Sequence, residues 1–218
     1  PPRSTLFPYT TLFRSNALYG KAVCKEIELT LRNGKKELTI SMLLYLPLTS
    51  GKVPVFLGYN FNGNHTVTSE AGIAVPDSWM RNNQAYGVLE NKASEAGRGK
   101  AVSDWQVEMI ISRGYGLSTI YYGYVDPDYD DGFKNGVHRL YDREPDKTSW
   151  GSIAAWAWGL SRAMDYLETL PSIDNNKVIV MGHSRLGKTA LWAGATDKRF
   201  ALVISNNSGC GGAALSKR

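Results

Sequence analysis

Histidine is scarce in this chain: the three copies, His65, His138 and His183, all precede Ser184, the residue the sequence marks out most clearly. That shortage narrows the choice of general base for any serine chemistry. Cysteine is scarcer still, with Cys24 in an expected early strand and Cys210 in a glycine-rich stretch. Two such thiols make no disulfide framework, and both are expected to be free. Basic runs are lacking as well. No Lys/Arg run exceeds two residues, and the net charge of +5 includes Arg3 and Arg14 near the start of the chain. Such a charge pattern offers no stripe for nucleic acid. Nor does any apolar stretch approach the roughly 18 residues that a membrane span requires.

What is present describes an ordinary globular domain: 218 residues, 43% hydrophobic and 21% charged, enough for one sizeable core. Residues 1–15 stand apart. Ser4-Thr-Leu-Phe7 recurs as Thr10-Thr-Leu-Phe13, each copy flanked by an Arg-Ser pair. A positive segment followed by a long apolar one is missing there, so the segment does not read as a signal peptide. It is expected to be non-native, leaving residues 16–218 as the N-terminal part of a single domain.

Cys24 to Leu31 and Glu37 to Leu46 alternate around Asn33-Gly34, which predicts a β-hairpin. Short apolar runs at Pro54 to Tyr59, Leu117 to Tyr122, Lys177 to Met181 and Phe200 to Ile204 predict buried strands. Helices are predicted over Ser103 to Arg113, stopped by Gly114, and over Trp150 to Leu170, opened by Ser149 and closed before Pro171. A hairpin followed by alternating strands and helices implies an α/β fold whose sheet is mostly parallel after its start. In such sheets reactive groups gather at the carboxyl ends of strands, where Asn60, Tyr122 and Ser184 fall.

The run Val178-Ile-Val-Met-Gly-His-Ser-Arg-Leu-Gly-Lys-Thr189 carries the chemistry. A buried strand ends in a serine among glycines and a small-residue helix follows, the layout of a nucleophile elbow. The spacing is G-x-S-x-x-G, with Leu186 where the usual pattern has its second glycine. Such a turn exposes Ser184 Oγ, aims the Arg185 backbone N–H at a developing oxyanion, and sets both at a helix N-terminus.

The stretch Gly182-His-Ser-Arg-Leu-Gly-Lys188, with the segments LGYNFNGNHTV, RGYGLSTIYYGYVDPDYDDGF and SWGSIAAWAWGLSRAMDYLE upstream, resembles the glucuronoyl esterases. These are carbohydrate esterases of the α/β-hydrolase superfamily. The resemblance covers nearly all of residues 20–218. It implies an α/β-hydrolase fold with Ser184 as nucleophile, Arg185 beside the oxyanion, and Lys188 on the sugar hydroxyls. It implies no metal or organic cofactor. It implies esters of plant cell-wall glucuronoxylan with lignin alcohols as substrate, and it alone suggests a secreted or periplasmic setting. The chain is short for such a fold, and a C-terminal continuation is expected.

The serine needs a histidine to take its proton and a carboxylate to orient that histidine. In this superfamily both follow the serine in the chain, so they are expected beyond Arg218. Where many members carry the acid after the next strand, this chain has Asn207. His183 is expected to pack beside the elbow, and His65 to line the pocket or stand as a plain loop residue. Asp126-Pro-Asp-Tyr-Asp-Asp-Gly132 reads as a capped, solvated loop, because the calcium-loop pattern would need glycine and glutamate where Asp131 and Val137 stand. Trp150, Trp156 and Trp158 fall on an expected core helix, and at least two of them are expected to pack in the core rather than form a sugar-stacking platform. Two rivals to the esterase reading remain at this stage: an acetylxylan-type carbohydrate esterase, and a glycan-binding hydrolase fold without catalysis.

Overall fold

A computed structural model describes residues 5–141, 146 and 148–214. In chain order its elements are β1 (Thr5–Asn16), the short kinked turn α1 (Ala17–Gly20), β2 (Ala22–Asn33), β3 (Lys36–Pro47) and β4 (Val53–Asn60). After these come α2 (Val102–Trp105), α3 (Val107–Ser112), β5 (Gly116–Tyr121), α4 (Ser152–Leu167), β6 (Ile173–His183), α5 (Arg185–Thr196) and β7 (Leu202–Asn206). Among the described residues the strands form one seven-stranded sheet in the order β1-β2-β3-β5-β4-β6-β7. The hairpin half is antiparallel, and β5, β4, β6 and β7 run parallel. This is the α/β-hydrolase layout that the sequence implies.

Alternation along each strand decides which layer it feeds. Val178 and Val180 of β6, with Val55 and Leu57 of β4, pack under Trp156, Ala163 and Ala190 of α4 and α5. Leu117 of β5, with Leu43 and Tyr45 of β3, packs on the opposite face against Val107 and Ile111 of α3. Each fully buried aliphatic side chain of this kind contributes about 1.5–3 kcal/mol. Helices on both faces therefore leave the strand ends as the open site of the molecule. No helix among the described residues is long and apolar enough to cross a membrane.

The hairpin closes one residue later than expected: Asn33 pairs with Lys36, so Gly34 and Lys35 form the turn. The helix expected over Ser103 to Arg113 is broken at Gln106, which takes a left-handed conformation (φ 45°). Its side chain donates to Ser103 O at 2.7 Å. The backbone of α2 is tied to the preceding loop through Ala101 N and Thr66 O, and the break lets Val107 and Ile111 turn onto the sheet. Helix α4 starts at Ser152 rather than Trp150, because Ser149 Oγ bonds Asp146 instead of capping a helix. The expected buried strand at Phe200 to Ile204 forms two residues later and is exposed. Leu202, Val203 and Ile204 lie in β7, with β6 as its neighbour on one side. Residues 5–15 of the segment set apart by its repeat, with Asn16, supply the outer strand β1, where Phe7, Tyr9 and Phe13 are exposed. Cys24 is a buried free thiol, and Cys210 is exposed.

Candidate active site

Ser184 stands between β6 and α5 with φ 55° and ψ −127°. A side chain held in so sparse a region costs about 1–3 kcal/mol, and the surroundings hold it there. Ser184 N–H donates to Asn206 O of β7 at 2.9 Å, while Ser184 O accepts from Gly187 N at 2.9 Å and Lys188 N at 3.2 Å. The glycines explain the unusual spacing. A Cβ on Gly182 would sit 2.0 Å from Leu186 O, so the turn closes only without one. One on Gly187 would meet Asn206 O at 3.0 Å and Ser208 Cβ at 3.1 Å, where α5 passes the end of β7. Gly187 thus serves the close approach that a glycine at Leu186 would serve in the common pattern.

The hydroxyl is half-buried and makes no hydrogen bond to another described residue. Behind it the N–H groups of Arg185 and Leu186 open α5, where no intrahelical acceptor exists. That geometry supplies donors for an oxyanion. Lys188 is half-buried one turn on, with no carboxylate in contact among the described residues.

The Arg185 guanidinium is not free. It pairs with Asp128 Oδ2, from the acidic loop after β5, and its Cζ lies 5.9 Å from the Phe61 ring centroid. The same oxygen accepts from Tyr122 Oη at 3.0 Å and contacts Arg81 Nη2 at 3.1 Å. Arg185 and Asp128 line a groove of about 560 Å³ with Ile153, Trp156 and Trp192. On the other side of the elbow, His183, Asn206, Phe61 and Asn60 line a cavity of about 550 Å³. Asn60 fixes the loop after β4, accepting from Gly63 N at 2.7 Å and donating to Asn64 Oδ1 at 2.8 Å.

The structure therefore joins Ser184, Arg185 and Lys188 at one turn, with His183 adjoining the serine and His65 and His138 lying elsewhere. His183 is exposed, its Nδ1 3.2 Å from Asn206 Nδ2. His65 is fully buried and lines neither cavity; neither ring nitrogen has a hydrogen-bond partner among the described residues, and burial lowers its pKa. His138 is stacked between Phe133 and Trp150 at 4.4 and 4.5 Å. Asn207 follows β7 in a left-handed conformation (φ 46°). Trp156 and Trp158 are core residues. Tyr122 fell among the strand-end residues expected near the site, whereas Asp128 and Arg81 were missed. The only sequence signal for them was the acidic run itself, whose partner lies 57 residues away.

Comparison with known proteins agrees with this geometry. The chain is 48% identical over 223 aligned residues to the carbohydrate esterase MZ0003 of an unknown prokaryotic organism, covering 100% of this chain and 51% of that protein. It is 46% identical over 81 residues to the 4-O-methyl-glucuronoyl methylesterase of Hypocrea jecorina, covering 36% of this chain and 18% of that one. Among solved structures, the glucuronoyl esterase from Solibacter usitatus superposes with a TM-score of 0.90 at 42% identity, over 99% of this chain and 55% of its own. The chain thus spans about half the length of its full-chain relatives. The family model described as glucuronyl esterase, fungi, matches residues 105–217, more than half of the chain and inclusive of the elbow, Asp128 and both long helices. By that match the chain belongs to the glucuronoyl esterase family.

Proposed function

We propose that the protein is a serine carboxylic ester hydrolase acting on esters of (4-O-methyl-)glucuronic acid, as in the links between glucuronoxylan and lignin alcohols. The observation that carries this is the Ser184 backbone at φ 55°, which presents the hydroxyl at the opening of α5. Ser184 Oγ attacks the C6 carbonyl and loses its proton to a base. The Arg185 N–H and guanidinium face the oxygen that becomes negative, and Lys188 takes the sugar hydroxyls. The C–O bond to the alcohol breaks, the alcohol leaves with a proton, and water then cleaves the glucuronoyl-serine ester. None of the three histidines is placed to serve as that base: two are enclosed away from the elbow, and His183 turns to Asn206. The proposal therefore takes the base from elsewhere in the whole protein, which forms its hydrolase domain around residues 16–218. The sugar specificity draws support from the methylesterase of Hypocrea jecorina, whose match is local.

The test is Ser184→Ala in the protein expressed from its complete reading frame, assayed on a methyl ester of 4-O-methyl-glucuronate and on acetylated xylan. The expected result is hydrolysis of the glucuronate ester by the parent and a loss of about 10³-fold or more in the variant. Retained turnover would remove Ser184 from its role, and preference for the acetyl ester would reassign the substrate. Sugar binding without an acyl-enzyme would favour a glycan-binding fold.

A further inference from the structure

We propose that Asp128 is the positioning residue for Arg185, and that Arg81, on the same carboxylate oxygen, keeps net positive charge at the elbow. This rests on the esterase reading, since it concerns the charge that meets the oxyanion.

An arginine paired one-to-one with an aspartate carries little net charge, and such a pair would waste the guanidinium for anion stabilisation. Here the carboxylate is shared. Arg185 Nη1, Arg81 Nη2 and Tyr122 Oη converge on the single oxygen Oδ2 of Asp128. Two guanidinium groups against one carboxylate leave one positive charge. Tyr122 adds a hydrogen bond and no charge, because burial and Asp128 push its phenol well above the usual pKa. Burial is graded to match: the Asp128 side chain is 15% exposed, Arg185 39% and Arg81 63%. The anchor is held inside, and the cations reach it from the rim.

The loop that carries Asp128 is itself held. Asp126 O accepts from Trp156 Nε1 at 2.9 Å, and Val137 N donates to Val125 O at 2.7 Å. The segment bringing Arg81 is tied to the same loop. Trp79 packs on Tyr129 with centroids 4.6 Å apart, Trp79 O accepts from Tyr121 Oη at 2.9 Å, and Arg81 Nη2 donates to Asp128 O at 3.2 Å. Groups fixed before the reaction need no reorganisation when charge develops, which is where such donors gain their effect. The acidic run is thus an arginine clamp, and the sharing of its oxygen is what keeps the clamp from cancelling the charge it positions.

The test is a double-mutant cycle in the protein from its complete reading frame, with the methyl ester of glucuronate as probe. Arg185→Met is expected to lower kcat about 10²–10³-fold. Asp128→Asn is expected to lower kcat about 10-fold or more with KM little changed, and to add almost nothing in the Arg185→Met background. Arg81→Met is expected to lower kcat several-fold, with Arg81→Lys restoring most of it. Full additivity of Asp128→Asn with Arg185→Met, or loss of melting temperature at unchanged kcat, would overturn the proposal. If Asp128→Asn fails to fold, the exposed pair Arg81→Met and Arg185→Met completes the cycle, and independence of those two overturns it equally. A parent protein that turns over no ester would sink the esterase reading instead. In that protein, hydrogen exchange at Arg185 Nη1, expected to quicken in Asp128→Asn, still decides whether Asp128 holds the guanidinium.

Discussion

Helix α5 has one arginine opening it and another just past its end, and the two are held in opposite ways. Arg199 meets Asp165 at 2.8 Å, Asp197 at 2.6 Å and Glu168, and it donates a further bond to Ser161 O. Carboxylates outnumber it, and a cation near a helix C-terminus is favoured by the dipole. Burial works to raise the pKa of Asp197, but the bonds from Arg199 and Ser161 outweigh it and hold the carboxyl down at about 2. Arg185 sits at the other end, where a cation opposes the dipole at a cost of about 0.3–1 kcal/mol. Among the described residues it has one carboxylate, which it shares with a second arginine. The network at Arg199 does what stability asks. The one at Arg185 does the reverse, keeping a charge where the helix dipole disfavours it.

The sharpest way to break this comparison is to remove each arginine in turn. Arg185→Ala is expected to cut turnover about 10²–10³-fold while the melting temperature stays within a few degrees of the parent. Arg199→Ala is expected to cost about 2 kcal/mol in urea unfolding, between an exposed pair and a buried one, with kcat unchanged. If Arg185→Ala proves the more destabilising of the two, both networks are structural and the contrast fails.

The elbow could be read in the sequence because everything it needs is local. The apolar run of β6, the glycines at 182 and 187, and the small residues of α5 lie within twenty residues. The pairing of β2 with β3 was legible for the same reason, through alternation and one Asn-Gly, whereas β1 beside β2 was not. What escaped depends on distant parts of the chain. Nothing near Gln106 announces that a bond from Ala101 N to Thr66 O will help divide an α-periodic stretch in two. Nothing near Asp128 names Arg81 or Arg185, since an acidic run has the same composition whether it meets water, calcium or arginine. The apolar pattern of β7 was visible, but its place at the end of the sheet order was not.

A smaller effect would sharpen the comparison within the acidic loop itself. Asp126 and Asp128 are two residues apart, yet Asp126 is 3% exposed and faces no arginine among its close partners. Its Oδ1 lies 3.5 Å from His138 Nε2, longer than a hydrogen bond. Burial raises its pKa to about 6; a bond from Ser152 opposes this, and the charges of Asp131 and Asp128 add to it. A carboxyl raised in the folded state binds protons more readily there than in the unfolded chain. Its contribution to stability is full below the unfolded value of 3.8 and is lost as pH rises through about 6. Asp126→Asn, neutral throughout, is expected to gain stability relative to the parent across that window. His138, in contact with Asp126, works the other way, because burial lowers its pKa. Thermal melts of the pair from pH 4 to pH 7 should therefore diverge, with the variant ahead at the upper end. Parallel curves would mean that Asp126 ionises as freely as a surface carboxylate, and burial would then have no hold on its charge.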